Sequence, residues 1–258
     1  MKTLLATLAI VAASPELTQA DIENVKTDLL IVGATESGWA AAIQAARMGV
    51  DSIAIVHDGD WYGGQFTEQA LACVDEDKGP GKVGWGVDWH PMKRSFHRSG
   101  LFKELMDRIE VFNTQKYGSA MPGKPYHGPS TFRPAEAEAV FRGMVQPFVD
   151  SGQVRVFWKR VPVTITVTDS KLEAVEFAPP GEEAATLSVT ARLTIDASDF
   201  GDVIQLSGAE YECGADPKSR YNEPSASETV VPTEMNPITW AMIVEESLDK
   251  QPSPIPKP

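Results

Sequence analysis

The sequence predicts an α/β fold: a doubly wound, largely parallel sheet carrying an inserted antiparallel β-meander. Three observations lead there. Thr27 to Val32 (TDLLIV) is a short continuous apolar run, as a parallel strand covered on both faces requires. Ser37 to Met48 (SGWAAAIQAARM) is rich in alanine, carries apolar positions at helical spacing, and stops at Gly49. Ser52 to Val56 (SIAIV) is a second β-rich run. Strand, tight turn, helix and strand within about thirty residues form a βαβ unit, and such units build parallel sheets.

Taken in order, the chain opens with Met1-Lys2, an apolar run from Leu4 to Ala13, and a polar stretch ending at Ala20. A basic start, a short apolar core and a small residue before the cut describe a secretory signal peptide over 1–20. The apolar run is too short to span a bilayer. A buried N-terminal helix is the alternative. The signal reading predicts a periplasmic or extracellular protein. Export would preserve a Cys73–Cys213 disulfide, while two buried thiols acting as small apolar side chains are the other account.

The 258 residues are 42% apolar and 23% charged, an ordinary globular composition. Acidic residues outnumber basic ones 36 to 23, for a net charge of -13. This disfavours nucleic acid and anionic membrane surfaces as partners. Two cysteines cannot supply a four-cysteine zinc site.

The first turn is Gly33-Ala34-Thr35-Glu36-Ser37-Gly38, with threonine where the dinucleotide fingerprint G-x-G-x-x-G has its second glycine. Gly33 permits a sharp exit from the strand and Gly38 a close helix contact. The helix N-terminus then offers amides and a positive dipole end to a pyrophosphate. The fingerprint also expects an acid after the second strand, to hold a ribose hydroxyl pair. His57-Asp58 occupies that place. Asp58 takes the role if the loop shifts by one residue, with His57 making one bond; a solvated loop acid and a surface histidine are the alternative.

Ala72 to Gly128 reads as a loop-rich insertion (about 72–128) interrupted by one helix, Leu101 to Phe112. It covers a ligand pocket or is a surface insertion. His90, His97 and His127 suit proton transfer by residue type, but lone loop histidines are more often surface residues, so none is assigned a catalytic role. VRVFW, from Val154 to Trp158, is a further strand. From about 161 to 196 three strand-like runs separated by turns form the meander. The last of them ends LTIDAS and leads into a helix-like FGDVIQLSGA, aiming backbone at the carboxyl edge of the sheet, where ligands bind. Ala215 to Pro237 reads as irregular, and 247–258 as a disordered proline-rich tail. There is no G-x-S-x-G elbow, no G-x-x-x-x-G-K-[ST] loop and no H-E-x-x-H spacing. Asp75-Glu76-Asp77 reads as a solvated acidic turn, and no metal is expected.

At Asp60 to Thr67 (DWYGGQFT) the βαβ unit is followed by x-x-G-G-x-x-T, which resembles flavoproteins of the glutathione-reductase class. More narrowly, the chain resembles the FAD-dependent oxidoreductase family that includes xanthan-lyase-like proteins. GGQFTEQALACVDED, TFRPAEAEAVFRGMV, IDASDFGDVIQLSGAEY and NPITWAMIVEE are each similar to family segments, in order, from about Asp28 to about Glu246. Ser198 stands where threonine is usual.

The resemblance implies a Rossmann-like FAD/NAD(P)-binding domain over 21–246 with FAD as cofactor. Gly33, Thr35, Ser37 and Gly38 would line the pyrophosphate, and Asp58 would hold the adenosine ribose. Gly63, Gly64, Gln65 and Thr67 would lie along the ribityl chain and flavin. Val161 would offer backbone to adenine, and Ala197 would lie near the dinucleotide. Family members normally continue well past the point matching Glu246, so a fragment, or a second chain supplying the C-terminal half, is expected. The implied activity is hydride or electron transfer from a small organic substrate, with no catalytic side chain named. A degenerate non-catalytic dinucleotide-binding domain is the rival reading.

Overall fold

The computed structural model describes residues 22–74, 98–120, 122 and 131–235. The expected signal peptide, His90, His97, His127, the acidic turn at 75–77, the segment NPITWAMIVEE and the proline-rich tail lie outside them.

The first unit is β1 (Glu23–Val32), α1 (Glu36–Arg47) and β2 (Ile53–Val56). β1 and β2 pair in parallel from Leu29 opposite Ile53 to Val32 opposite Val56. β1 begins four residues before the expected Thr27, because Glu23 to Thr27 pairs with β6 and needs no apolar side chains to do so. The Thr35 side chain caps α1 by accepting from the Gly38 amide at 3.3 Å. Glu36 in the first turn and Arg47 in the last suit the helix dipole.

Among the described residues two α-helices lie between β2 and β3 (Val154–Phe157): α2 (Gly100–Tyr117) and α3 (Pro134–Asp150). α2 runs five residues past the expected Phe112, because its buried residues extend to Asn113. The Asn113 amide donates to the carbonyls of Ala120 and Thr131, tying that end down. α3 starts at Pro134, whose missing N–H would be unpaired in a first turn anyway.

The meander follows as β4 (Val161–Thr168), β5 (Lys171–Ala178) and β6 (Leu187–Asp196). It is part of the main sheet, whose order is β3-β2-β1-β6-β5-β4. β6 is shared: it runs parallel to β1 and antiparallel to β5. Among the described residues the short helices α4 (Asp202–Ser207) and α5 (Lys218–Tyr221) follow β6.

Two apolar clusters hold the layers. On one face Leu29, Ile31, Ile53 and Ile55 meet Trp39 and Ile43 of α1, Leu105 and Met106 of α2, and Phe141 of α3. Trp39 and Phe141 pack edge to face with centroids 4.7 Å apart, and the indole N–H donates to the Phe141 carbonyl at 2.9 Å. On the other face Leu30, Val32, Ala54 and Val56 meet Val175, Phe177, Leu187 and Val189 of the meander and Val203 of α4. Helices on both faces were expected of a doubly wound sheet. Among the described residues α1 to α3 cover one face, and meander side chains with one short helix close the other. The continuous apolar runs of β1 and β2 are explained equally well by this cover. No helix of the described residues is long and apolar enough to cross a membrane.

Candidate functional site

β1, β2 and β6 end at the same edge of the sheet, and the chain leaves each through small or polar residues. β1 exits at Gly33, β2 at His57 and β6 at Ala197. Gly33 has a φ of +106°, and a Cβ on it would overlap the Ala197 carbonyl oxygen. A Cβ on Gly38 would overlap the Gly33 carbonyl oxygen. Both positions therefore need glycine for the backbone to close at all.

Thr35 stitches this crossing. Its hydroxyl donates to the Ala197 carbonyl at 2.8 Å while accepting from the Gly38 amide, and the Ala197 amide donates to Val32 at 2.8 Å. The threonine at the fingerprint's second glycine is thus a cap and a strand-to-strand tie, with the side chain only 3% exposed. The Glu36 and Ser37 amides are first-turn donors, which have no intrahelical carbonyl to take them.

A small open cleft lies over this edge. Gly33, Thr35, Asp58 and Val161, all expected site residues, line it together with His57, Arg160, Ser198, Asp199, Phe200 and Asp202. Ser37 and Gly38 begin the helix beside it, and Ala197 lies behind Gly33. The structure thus gathers the residues expected for the adenosine half. Asp196, at the end of β6, turns inward. Its carboxylate accepts from the Ser198 amide and hydroxyl and from the Val203 and Ile204 amides, so it caps α4.

The second glycine pair docks against the first turn. Gly63 (φ +109°) donates its amide to the Ala34 carbonyl at 2.9 Å, and Gly64 (φ +46°) lies against Thr35 and the Glu36 carboxylate. The Thr67 hydroxyl closes the loop by donating to the Tyr62 carbonyl at 2.7 Å, and Gln65 is exposed. Tyr62 and Trp158 pack edge to face with centroids 4.8 Å apart, and the Arg142 guanidinium covers both rings. Burial raises the Tyr62 phenol above its ordinary range, so it stays protonated and acts as packing.

The site is acidic. Asp199 is pushed above the usual carboxylate range by burial, then by the charges of Asp58 and Glu68. Burial and the neighbouring Asp196 and Asp58 do the same to Asp202. Among the described residues no group of three His, Cys, Asp or Glu side chains is placed to hold a metal ion. Cys73 and Cys213 are not joined to each other.

Arg160 and Asp199 were not singled out from the sequence, although Arg160 adjoins an expected residue, Val161. Glu68 was missed for a different reason: nothing local says that a side chain following the second glycine pair reaches back to the end of β2.

These features fit FAD. The glycine crossing leaves backbone where a phosphate chain needs close approach, and the second glycine pair adjoins the same helix start. Glu36 Oε2 and His57 Nε2 are buried polar atoms with no hydrogen-bond partner in the structure. A ligand rich in hydroxyl groups supplies what both lack.

The model of the family described as FAD dependent oxidoreductase matches residues 28–256. Comparison with curated proteins gives no significant match. Among solved structures, the chain is similar to THI4 of Thermovibrio ammonificans, at 17% identity and a TM-score of 0.45, over 74% of this chain and 67% of that one. It is also similar to adenylylsulfate reductase of Archaeoglobus fulgidus (14%, 0.43, covering 69% and 31%) and to Sdh1 of Mycobacterium smegmatis (14%, 0.40, covering 68% and 34%). The chain thus spans about a third of the length of the last two.

Proposed function

We propose, for a chain that belongs to the FAD-dependent oxidoreductase family, that it is an exported enzyme moving a hydride or electrons from a small organic substrate to an acceptor. The observation that carries this reading is the meeting of both glycine turns at one helix start. Gly33 and Gly38 interlock with Ala197, and Gly63 is bonded to Ala34. When bound, FAD supplies the electron chemistry of its isoalloxazine ring, and the protein supplies position and electrostatics.

The chain's own residues would divide the binding work. The Glu36 and Ser37 amides, at the positive end of α1, face the pyrophosphate, with Thr35 holding that turn to β6. Asp58, steadied by the Gly59 amide at 3.0 Å, accepts from the ribose. The Val161 backbone edges the adenine. Gly63 and Gly64 leave room for the ribityl chain beside Gln65, and Thr67 keeps that loop shut. The cleft's acidic rim favours hydroxyl groups over further anions.

The test is reconstitution of the purified chain with FAD. The expected result is a yellow protein with flavin absorbance, at one FAD per chain, that bleaches with substrate. A colourless protein that takes up no FAD overturns the reading and favours a degenerate fold. Export is tested on protein recovered from outside the cytoplasm of the producing cell. Its mature N-terminus is expected at Asp21, and an intact Met1 on cytoplasmic protein would refute it.

A further inference from the structure

The end of β2 holds an imidazole where the fingerprint has its carboxylate, and what surrounds that imidazole is informative. His57 lines the cleft with a side chain only 3% exposed. Its Nδ1 lies 3.1 Å from Asp58 Oδ1. Its Nε2 is buried without a hydrogen-bond partner, and Glu68 Oε2 stands 3.7 Å from it, beyond hydrogen-bond reach. A buried ring nitrogen left in that state is costly.

Glu68 comes from the loop after the second glycine pair, where its amide is fixed to the Gly64 carbonyl at 2.8 Å. Its side chain is 35% exposed and so has room to turn. Gly59 is what lets the two groups face each other. A Cβ there would come within 2.9 Å of Glu68 Oε1 and 3.1 Å of His57 Nε2. The result is a cleft-lining imidazole with a carboxylate near each ring nitrogen, and Asp199 is close enough to feel both charges.

A vicinal diol matches this arrangement, because each hydroxyl both donates and accepts. O–H groups bond strongly to carboxylates, and a ring nitrogen pairs with either function. A phosphate ester at the same place would carry roughly two further negative charges into a ring of carboxylates.

We propose that Glu68, which stands beside the unpartnered Nε2 of His57, is a specificity-determining residue of the cofactor site. With Asp58 it accepts the adenosine ribose diol, and it bars an adenosine phosphorylated at the 2′ position. This rests on the FAD reading above and adds to it the residue that decides which adenine nucleotide enters.

The test uses the full chain and three probes that share the adenosine diphosphate half: ADP, 2′-deoxy-ADP and 2′-phospho-ADP, titrated calorimetrically alongside FAD. The native chain is expected to bind ADP about tenfold more tightly than 2′-deoxy-ADP. It should bind ADP about a hundredfold more tightly than 2′-phospho-ADP. Glu68→Gln should bring the ADP to 2′-deoxy-ADP ratio within about threefold and weaken the exclusion of 2′-phospho-ADP. Ratios taken on one protein sample are insensitive to a loss of folded fraction. If Glu68→Gln keeps the native ratios, Glu68 has no such role. If 2′-phospho-ADP binds best, Arg160 governs the site and the proposal fails while the cofactor site stands. Binding of neither ADP nor FAD would sink both readings together.

Discussion

The two glycine pairs look alike in sequence and differ in what they do. A side chain on Gly33 or Gly38 would run into backbone, namely the carbonyls of Ala197 and Gly33. A side chain on Gly63 or Gly64 would first meet side-chain atoms, the nearest being Thr67 Cγ2 at 3.0 Å and Glu36 Oε2 at 2.7 Å, with the Thr35 Cα 3.1 Å from a Cβ on Gly64. The first pair is a requirement of folding, since two strands and a helix cross there with no room to give. The second is a requirement of backbone conformation and of a close seat against side chains beside a helix start.

The largest expected effect follows at once. Gly38→Val should destabilise the chain by more than about 4 kcal/mol, because backbone must move and α1 loses its seat. Loss of soluble, helical protein by circular dichroism is the expected result. A folded Gly38→Val variant would show that the crossing has slack and would remove the contrast. For the same reason this variant does not report on the cofactor alone.

Thr35→Val sharpens the comparison, since it keeps the shape and removes the hydroxyl that caps α1 and ties it to Ala197. A loss of about 1–2 kcal/mol in denaturant unfolding is expected, with Thr35→Ser retaining most of it. An unchanged midpoint for Thr35→Val would mean that the tie carries no stability. Gly64→Ala is the counterpart in the second pair. At a φ of +46° it should cost about 1–2 kcal/mol and leave the fold intact. FAD affinity, read by flavin fluorescence, should fall about tenfold or more. Equal affinity would show that the second pair does not face the cofactor.

The smallest effect concerns the rim. The folded-state pKa of Asp199 lies above its unfolded value, so the charged group opposes folding near neutral pH. That penalty fades as pH falls through the raised value. Asp199→Asn should raise the melting temperature at pH 7 by about 1 °C or less, because the exposed rim is well screened. The gap should close towards about pH 4. A gap that widens on acidification would reverse the assignment.

Much of this was legible in the residue order. The run TDLLIV, the alanine-rich helix and SIAIV each carry their own periodicity, so β1, α1 and β2 could be placed from local pattern alone. Gly33 and Gly38 announced a sharp strand exit and a close helix contact, whereas the carbonyl of Ala197 as what Gly33 closes against came only from the structure. What local pattern did not convey was the cover of the second sheet face, where Val175 and Phe177 do what a helix was expected to do. Apolar runs record that a face is buried and not what buries it.

The residues themselves determined the βαβ start, the acidic surface and the glycine turns, since these depend on neighbours a few positions apart. Only the tertiary structure decided that Thr35 bonds across to Ala197, that β6 serves two partners, and that Glu68 reaches His57. Each is a contact between segments distant along the chain or separated by a turn. Its energy depends on a backbone path that no single segment encodes.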